Sequence, residues 1–367
     1  MPQKYNQVSA MWAIGKSTMR SIFRSPQAVF FSLFFPIVLI VIFGSLGGGG
    51  GLSLGIGFDQ HSDTSNAVYQ AIIRTPVFNV IKTNQADIDD RLKKGRITAI
   101  IDVRKSGNDN GKEQFDVHLL TTSASQKDLQ VLTTILRDII SGINSQLNPG
   151  SYDYATISQE QIPGRIYRMI DFYLPGMLGF SLIGSAIFGV SFLFFSLRET
   201  LVLKRMFASP IGKAYIVLGD GIGRILFNLT TATVLILFGR FFYQFTLSDG
   251  VFTFIELMIL SILGLIVFMG FGYSIASLAK NQNVIPIYAN LFMFPQYFLS
   301  GTFFPKTSLP QSIQWLINAL PLTALNDAMR KVSFEGAHLN NCLPQIGVLV
   351  IWGLVIYVLA IKVFKWE

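Results

Sequence analysis

The sequence has very few of the residues from which enzyme sites are usually built. Its 367 residues include one cysteine and three histidines, and only 14% are charged, against about 25% in a typical soluble domain. The single Cys342 excludes an internal disulfide, and His61, His118 and His338 lack the spacing of metal ligands. No pairing of carboxylates, or of serine with histidine, forms a catalytic set. We therefore predict neither a metal site nor an enzyme.

The chain also lacks the nucleotide-binding motif G-x-x-x-x-G-K-[ST], so we expect no ATPase site in it. Gly212-Lys213-Ala214 has neither the hydroxyl for Mg²⁺ nor the upstream glycine. The GDGIG run at 219–223 begins an apolar segment without a preceding strand, which argues against a dinucleotide-binding fingerprint.

Long apolar runs dominate what the sequence does contain. Hydrophobic residues make up 51% of the chain, and about 20 apolar residues cross a bilayer as a helix. The first run is too long and too rich in phenylalanine for a signal peptide. We predict a polytopic α-helical membrane protein with six transmembrane helices, at 27–46, 173–196, 215–242, 252–278, 285–303 and 346–363.

The positions of lysine and arginine predict the orientation. Basic residues cluster before the first run, between the second and third, between the fourth and fifth, and at the C-terminus. Because such residues favour the cytoplasmic side, we expect both termini inside and residues 47–170 outside the cytoplasmic (inner) membrane. This bias also explains the net charge of +8, so nucleic-acid binding is not required.

The residue pattern of the polar stretch at 47–170 indicates a folded module. Its pattern predicts strands at 52–58, 77–83, 97–103 and 114–121, and helices at 64–74, 85–95 and about 129–147. Asp63 or Thr64 is the expected helix cap, and Gly95 the expected helix end. The order βαβαββα predicts an inserted extracytoplasmic α/β domain.

Two segments are predicted to contact the inner membrane surface or a partner. Residues 1–26 form an amphipathic helix whose arginines lie near anionic headgroups; a plain basic anchor is the alternative. Leu203, Met206 and Phe207 share one face of a short helix that Pro210 ends. Such a helix fits a groove on a partner, although one that touches only lipid has the same pattern.

Three stretches resemble one family. They are FYLPGMLGF at 172–180, RETLVLKRMFASP at 198–210 and SGTFFPKTSLPQSIQWLINALPLTALNDAMR at 300–330. Together, in this order, they resemble the permease subunits of type-2 ATP-binding-cassette exporters, in the subclass with a large extracytoplasmic domain between the first two spans. Leu201-Val202 departs from the pattern, because many members carry Gly-Thr or Gly-Val there.

The resemblance implies the partners and the site. The segment 198–210 would be the coupling helix that docks on a separate ATPase subunit, which binds ATP and Mg²⁺. It implies two ATPase copies and a second permease, the same chain or a sister. The contact residues would be Arg198, Glu199, Thr200, Leu203, Lys204, Arg205, Met206, Phe207 and Pro210. The wall of the substrate path would include Phe180, Phe188, Phe292, Met293, Gln296 and Tyr297, although such aromatics more often face lipid.

Charges and breaks in the apolar runs carry further expectations. Arg224 and Arg240 lie about 24 Å apart along one helix, so each is expected to reach an opposite interface. Arg240 is expected to pair with Glu256. Prolines break the fifth run, and residues 304–332 are predicted to form an outer re-entrant segment within the bundle at 171–367.

The function we expect is that of an exporter permease moving an amphipathic, drug-like or lipid-like substrate. The alternative is a membrane-anchored receptor or scaffold whose outer domain binds an extracytoplasmic partner. The alternative leaves the helix at 199–208 unexplained. An intramembrane enzyme is disfavoured, because the apolar runs offer no histidine or paired acids.

Overall fold

The computed structural model describes residues 6–45, 54–81, 83–93, 97–109, 112–122, 126–147, 154–162, 168–202 and 211–363. The chain divides into two compact units. The first combines residues 1–47 with 168–367, and the second covers residues 48–167. The second unit lies in the sequence between the first two apolar runs.

The first unit is helical. Its helices are α1 (Gln7–Phe23), α2 (Pro26–Val29), α3 (Phe35–Ser45), α7 (Met169–Glu199), α8 (Lys213–Tyr243), α9 (Val251–Leu278), α10 (Val284–Leu299), α11 (Gln314–Ala319), α12 (Pro321–Arg330) and α13 (Leu343–Val363).

Four of the helices in the described residues are long and apolar enough to cross a membrane. They are Met169–Glu199, Ala214–Tyr243, Val251–Leu278 and Leu339–Val363, and two shorter apolar helices cover Phe30–Phe43 and Val284–Leu299. All six lie in the apolar runs of the sequence. The described part of the chain thus contains four candidate spans by length and composition, and the six-span arrangement stays a prediction.

The first apolar run contains a wide helical turn just before Pro36. Phe30–Phe34 form a π-helical turn between α2 and α3. Pro36 has no N–H to donate to the carbonyl of Ser32, one turn earlier. That carbonyl instead accepts a hydrogen bond of 2.6 Å from the hydroxyl of Ser181 in α7. The proline therefore frees a backbone group that ties the first run to α7.

Helices α7 and α9 form the centre of the helical unit. Gly272 allows the close approach, because a Cβ at this position would lie 2.7 Å from Cβ of Val190. The hydroxyl of Ser191 donates to the carbonyl of Gly272 at 3.0 Å. Small residues at helix crossings are typical of membrane bundles, in which packing and hydrogen bonds replace the hydrophobic drive.

The segment after α10 is broken into short pieces. 3₁₀ turns at Lys306–Ser308 and Gln311–Ile313 precede α11 and α12, and a π turn at Lys331–Glu335 follows them. Most of the predicted re-entrant segment at 304–332 is therefore helical, and α12 is largely buried. The depth of the segment in a bilayer stays a prediction.

The second unit is an α/β module. Its strands are β1 (Leu54–Phe58), β2 (Phe78–Val80), β3 (Ala99–Asp109), β4 (Lys112–Thr122) and β5 (Ala155–Ile162), in the sheet order β2-β1-β3-β4-β5. Only β3 and β4 pair antiparallel. Helices α4 (Ala67–Arg74), α5 (Gln85–Lys93) and α6 (Gln126–Leu147) complete it. The main core, around Ile56, Val117 and Leu132, is separate from a smaller cluster around Leu92 and Ile100.

The sequence predicted this module with two errors. It missed β5, an edge strand in which Ala155 is buried while most of its other described side chains are half-buried or exposed. It also placed the cap of α4 at Asp63 or Thr64, whereas Asn66 accepts the hydrogen bond from the backbone N–H of Tyr69 at 2.8 Å. The predicted helix end at Gly95 lies outside the described residues.

Candidate functional site

The predicted coupling segment begins at the end of α7, where Arg198 is tied to α9. The Arg198 guanidinium donates to the backbone carbonyls of Ser277 at 3.5 Å and Ala279 at 2.7 Å. The last carbonyls of a helix have no partner within it and carry partial negative charge, so a cation stabilises them. The guanidinium also lies 5.2 Å from the centre of the Phe195 ring. Arg198 thereby joins the ends of two long helices.

A sharp turn follows Arg198 and corrects the expected start of the coupling helix. Arg198 and Glu199 belong to α7, Thr200 caps it, and Leu201 has φ +58°. This left-handed conformation is the one that glycine adopts without steric cost. Leu201 therefore adopts a conformation that glycine favours, at a position where the resemblance leads one to expect glycine in many members. Leu203, Lys204, Arg205, Met206, Phe207 and Pro210 lie outside the described residues.

Helix α1 packs closely on α8. The backbone N–H of Gly212 donates to the Gln7 side chain at 3.0 Å, Gly15 is buried against Gly219, and the rings of Phe23 and Phe227 meet edge to face at 4.9 Å. The paired positions rise together along both helices, so the two run parallel. The expected interfacial helix of residues 1–26 is thus a helix held against α8, and its contact with lipid stays a prediction.

Glycines explain how closely the two helices approach. A Cβ on Gly223 would lie 2.4 Å from the Gly15 carbonyl oxygen, and one on Gly219 would lie 2.7 Å from the Met11 carbonyl oxygen. Gly219 and Gly223 have the G-x-x-x-G spacing of closely packed membrane helices. The GDGIG run, recognised in the sequence only as an unlikely nucleotide motif, is therefore a packing surface.

The same contact accounts for a partial nucleotide-binding motif in α1. Gly15-Lys16-Ser17 matches the last three positions of G-x-x-x-x-G-K-[ST], but Ala10 stands where the first glycine is required. These residues lie in the middle of a helix, whereas a phosphate-binding loop joins a strand to a helix. Gly15 serves the approach to α8.

A buried ion pair lies in α8, near its contact with α1. Nε of Arg224 donates to the Asp220 carboxylate at 2.8 Å, and both side chains are at most 5% exposed. The hydroxyl of Thr18 donates to the other carboxylate oxygen at 3.1 Å. A Cβ on Gly189 of α7 would lie 2.3 Å from the guanidinium. Arg224 is thus buried between helices with its own counter-ion, and its position relative to the membrane interface stays a prediction.

The structure does not bring Arg240 and Glu256 together. Arg240 donates to the carbonyl of Phe245 at 3.0 Å, close to the end of its own helix. The Glu256 carboxylate instead accepts from the backbone N–H of Leu339 at 3.1 Å and faces the His338 ring at 3.5 Å. The predicted pair is replaced by a contact between α9 and the segment that leads into α13.

Helix α10 has one buried and one exposed face. Met293, Gln296 and Tyr297 are at most 6% exposed, and the Gln296 side-chain oxygen accepts from the backbone N–H of Leu322 at 3.0 Å. In this conformation these three predicted path residues pack inside the chain. The opposite face is an apolar stripe that the sequence analysis missed, although its helical spacing was visible: Ile287, Leu291, Phe294 and Phe298, each at least 53% exposed.

The other three predicted path residues are half-buried in aromatic contacts. Phe180 lies 4.3 Å from Tyr297 and 5.5 Å from Phe35, measured between ring centres. Phe188 stacks on Phe192 within α7, and Phe292 stacks on Phe271 at 3.9 Å. Phe180 therefore joins α3, α7 and α10, while Phe292 joins α10 to α9.

The motif at 300–330 is held together by its own ends. The Arg330 guanidinium donates to the carbonyls of Phe172 and Gly301 and lies 4.0 Å from the centre of the Phe172 ring. The Asn326 amide donates to the hydroxyl of Thr302 at 3.1 Å. Gly301 has φ +73°, which turns the chain at the end of α10. Arg330 thus fixes the broken segment on the start of α7, while Asn326 and Thr302 join its two ends.

Comparison with known proteins identifies the family. A profile described as "ABC-2 family transporter protein" matches residues 27–362. The chain belongs to this family. The ABC transporter G family member 20 of Dictyostelium discoideum is 24% identical over an alignment of 368 positions, which covers 96% of this chain and 50% of the relative. The probable multidrug ABC transporter permease YbhR of Escherichia coli K12 is 27% identical over 39% of this chain and 38% of its own length. Nodulation protein J of Bradyrhizobium diazoefficiens is 28% identical over 27% of this chain and 38% of its own length.

This chain is therefore a membrane-embedded member of the ABC-2 transporter family. The chain spans about half of the length of the Dictyostelium relative and less of the bacterial ones. Within the described part of the chain, no group of three or more histidine, cysteine, aspartate or glutamate side chains could hold a metal ion. The contacts of Arg198, Asp220 and Arg330 hold helices of this unit together.

Proposed function

We propose that this ABC-2 permease is the membrane subunit of an ATP-driven exporter for amphipathic substrates. The observation that carries the proposal is the anchored end of α7. Arg198 fixes the start of the segment 198–210 on the end of α9, and the segment returns to the chain at α8. A force applied to this segment therefore acts on three long helices at once.

The coupling step follows from this geometry. A separate ATPase subunit, which binds ATP and Mg²⁺, docks on Glu199, Thr200 and residues 203–210. A ligand can shift a conformational equilibrium only through contacts that differ between the two states. Because α7 packs on α8 and α9 through glycines and buried hydrogen bonds, its end cannot move without displacing its neighbours. Movement at the segment is thereby converted into rearrangement of the bundle.

Six spans with both termini in the cytoplasm are the topology that we propose. Four long apolar helices and two shorter ones support it, as does the bias of lysine and arginine to one side. Residues 47–170 then lie outside the cytoplasmic (inner) membrane, where the α/β module is accessible to an extracytoplasmic partner. In a variant lacking Cys342, cysteines introduced at Ser65 and Lys280 are expected to react with an impermeant maleimide from opposite sides.

A second permease subunit is proposed to pack on the exposed face of α10. Ile287, Leu291, Phe294 and Phe298 recur at intervals of three and four residues, which forms one continuous apolar stripe. In the Cys342→Ser variant, Phe294→Cys is expected to form a disulfide-linked dimer. Leu354→Cys in α13, an exposed position outside this stripe, is the matched control and is expected to stay monomeric. Equal cross-linking at both positions would rule out α10 as the dimer face.

The proposed substrate class is based on the aromatic side chains that would line the substrate path. The half-buried rings of Phe180, Phe188 and Phe292 lie in contacts of α7 and α10. Aromatic faces without fixed charge bind amphipathic, drug-like or lipid-like molecules more readily than small ions. The name of the Escherichia coli relative, a probable multidrug permease, agrees with this class.

The proposal is tested by purification and transport. A tagged chain is expected to bring down an ATP-binding-cassette ATPase, and Met206→Ala with Phe207→Ala is expected to abolish both that association and ATP-dependent efflux. Ile287→Ala with Leu291→Ala is the matched control and is expected to keep the ATPase. If no ATPase accompanies the chain, the alternative of an anchored receptor or scaffold is favoured.

A further inference from the structure

A basic groove runs along the exposed side of α1. It has a volume of about 690 Å³ and is lined by Ala13, Lys16, Ser17, Arg20, Ser21, Arg24 and Ser25. The three cations recur every four residues, so they lie in one row on the helix surface. A serine follows each cation, which places three hydroxyl groups beside the three charges.

The charge in this groove is not neutralised within the described part of the chain. Residues 7–23 contain no aspartate or glutamate, and no ion pair among the described residues includes Lys16, Arg20 or Arg24. All three side chains are exposed. Three uncompensated cations spaced about 6 Å apart along a helix form a local field that attracts an anion.

The groove is built on a helix that is held in place. The Asn6 side chain caps the start of α1 by accepting from the backbone N–H of Ser9 at 3.1 Å. The glycine contact with α8 fixes the opposite side of the helix. The cations therefore project from a fixed backbone, and an anion that binds them does not have to order the helix first.

The location of the groove indicates the kind of anion. Arg24 is two residues before Pro26, where the first apolar helical run begins. The exposed side chains of that run are apolar, with Phe31 at 62%, Phe34 at 55% and Val38 at 48% exposure. A molecule that joins an anionic phosphate to long apolar chains fits both surfaces, whereas an acidic protein surface fits only the groove.

We propose that the groove formed by Lys16, Arg20 and Arg24 binds the phosphate of an anionic phospholipid whose acyl chains lie along the first apolar run. Arginine suits this role because its planar guanidinium donates two parallel hydrogen bonds to a phosphate. The adjacent serine hydroxyls donate to the remaining phosphate oxygens. The proposal requires only that the chain is embedded in a membrane, and it does not depend on the direction of transport.

The test compares lipid preference in variants that lose the same charge. The full-length protein is placed in nanodiscs of phosphatidylcholine containing a minor fraction of phosphatidylglycerol, and native mass spectrometry measures which lipid it retains. Arg20→Gln with Arg24→Gln removes two charges from the groove. Lys280→Gln with Lys362→Gln removes two exposed charges elsewhere and is the matched control. The melting midpoint of each variant shows whether it is folded.

The wild-type protein is expected to retain phosphatidylglycerol preferentially. A basic residue near a charged surface contributes about a fivefold preference, so the groove variant is expected to lose roughly 25-fold. The control variant is expected to keep its preference, and Arg20→Lys with Arg24→Lys is expected to keep part of it. Soluble glycerol phosphate in excess is not expected to displace the lipid, because it lacks the acyl chains.

Three results would overturn the proposal. Equal phosphatidylglycerol preference in the wild-type protein and the groove variant would show that the groove binds no lipid phosphate. Displacement by glycerol phosphate would identify a soluble phosphate site instead. Loss of ATPase association in the groove variant, with lipid preference unchanged, would assign the groove to an acidic protein surface.

Discussion

Adding one methyl group at Gly223 should separate α1 from α8. In Gly223→Ala the new Cβ would lie 2.4 Å from the Gly15 carbonyl oxygen and 2.9 Å from Cβ of Thr18, whereas ordinary contact begins at 3.4 Å. Backbone atoms of a helix cannot rotate away from the clash. The two helices must therefore move apart by about 1 Å, a distance that forfeits a quarter to a half of the attraction between packed atoms.

The expected cost has two parts. Overpacking of this kind typically costs about 1–3 kcal/mol. The hydrogen bond from Thr18 to Asp220, now 3.1 Å long, is also lost when the helices separate, at about 1 kcal/mol. Alanine is favoured over glycine within a helix by about 1 kcal/mol, which acts in the opposite direction. The control variant must therefore have the same gain in helix propensity, so that the gain cancels in the comparison.

Gly221→Ala provides this control. Gly221 lies in the same helix and the same GDGIG run, but the nearest atom to its added Cβ is the terminal methyl of Met269 at 3.9 Å. Both variants gain the same helix propensity, so their difference isolates the clash. We expect α1 to be less stable by about 2–4 kcal/mol in Gly223→Ala than in Gly221→Ala.

Hydrogen exchange of the peptide covering residues 7–23 measures this difference. A loss of 2 kcal/mol in the opening free energy speeds exchange about 25-fold, and larger losses speed it further. Labelling of the buried Cys342 with a maleimide reports whether the rest of the helical unit stays folded. If exchange in α1 is the same in both variants, the close parallel packing of α1 on α8 is refuted.

Three further predictions concern other features. Asp220→Asn leaves Arg224 buried without its counter-ion and is expected to destabilise the helical unit by about 3–5 kcal/mol. Asp220→Leu combined with Arg224→Met removes both charges and is expected to recover much of this loss. Maleimide labelling of the single cysteine during heating measures the stability of both variants. Leu201→Gly is expected to stabilise the chain by roughly 1 kcal/mol in the same assay, because glycine removes the strain at φ +58°. Partial burial acts to raise the pKa of Asp59, but hydrogen bonds from the backbone and ring of the neighbouring histidine outweigh it and hold the pKa below the ordinary 3.8. The stability from Asp59 is therefore present above about pH 4 and lost as the pH falls through the lowered pKa, and Asp59→Asn should weaken this pH dependence of unfolding.

Hydropathy located every apolar helix to within a few residues, because burial in lipid requires a nearly continuous apolar run. The alternation of apolar residues located four strands of the second unit for a similar reason. It missed β5, which gains its place in the sheet from backbone pairing with β4 rather than from a buried face. An edge strand of this kind has little apolar signal to detect.

The charged residues of the helices were predicted less well. Asp220 and Arg224 stand four residues apart, a spacing that indicates an ion pair on one helix face, but the sequence did not show that other helices bury the pair. Arg240 and Glu256 are attractive partners by charge and approximate depth. Hydropathy does not report on which side of its helix a residue lies. The two side chains lie on sides that face other neighbours, so each of them makes a different contact.

The sequence by itself determined that the chain is a membrane protein that resembles one transporter family, since its apolar runs and three motifs are local features. It also determined the inserted α/β module, whose strands and helices follow from periodicity over short windows. The tertiary structure alone decided which side of each helix faces a neighbour. Gly15, Gly219 and Gly223 form one interface because two helices run parallel at close distance, and the position of a side chain around a helix is set by the helices packed against it.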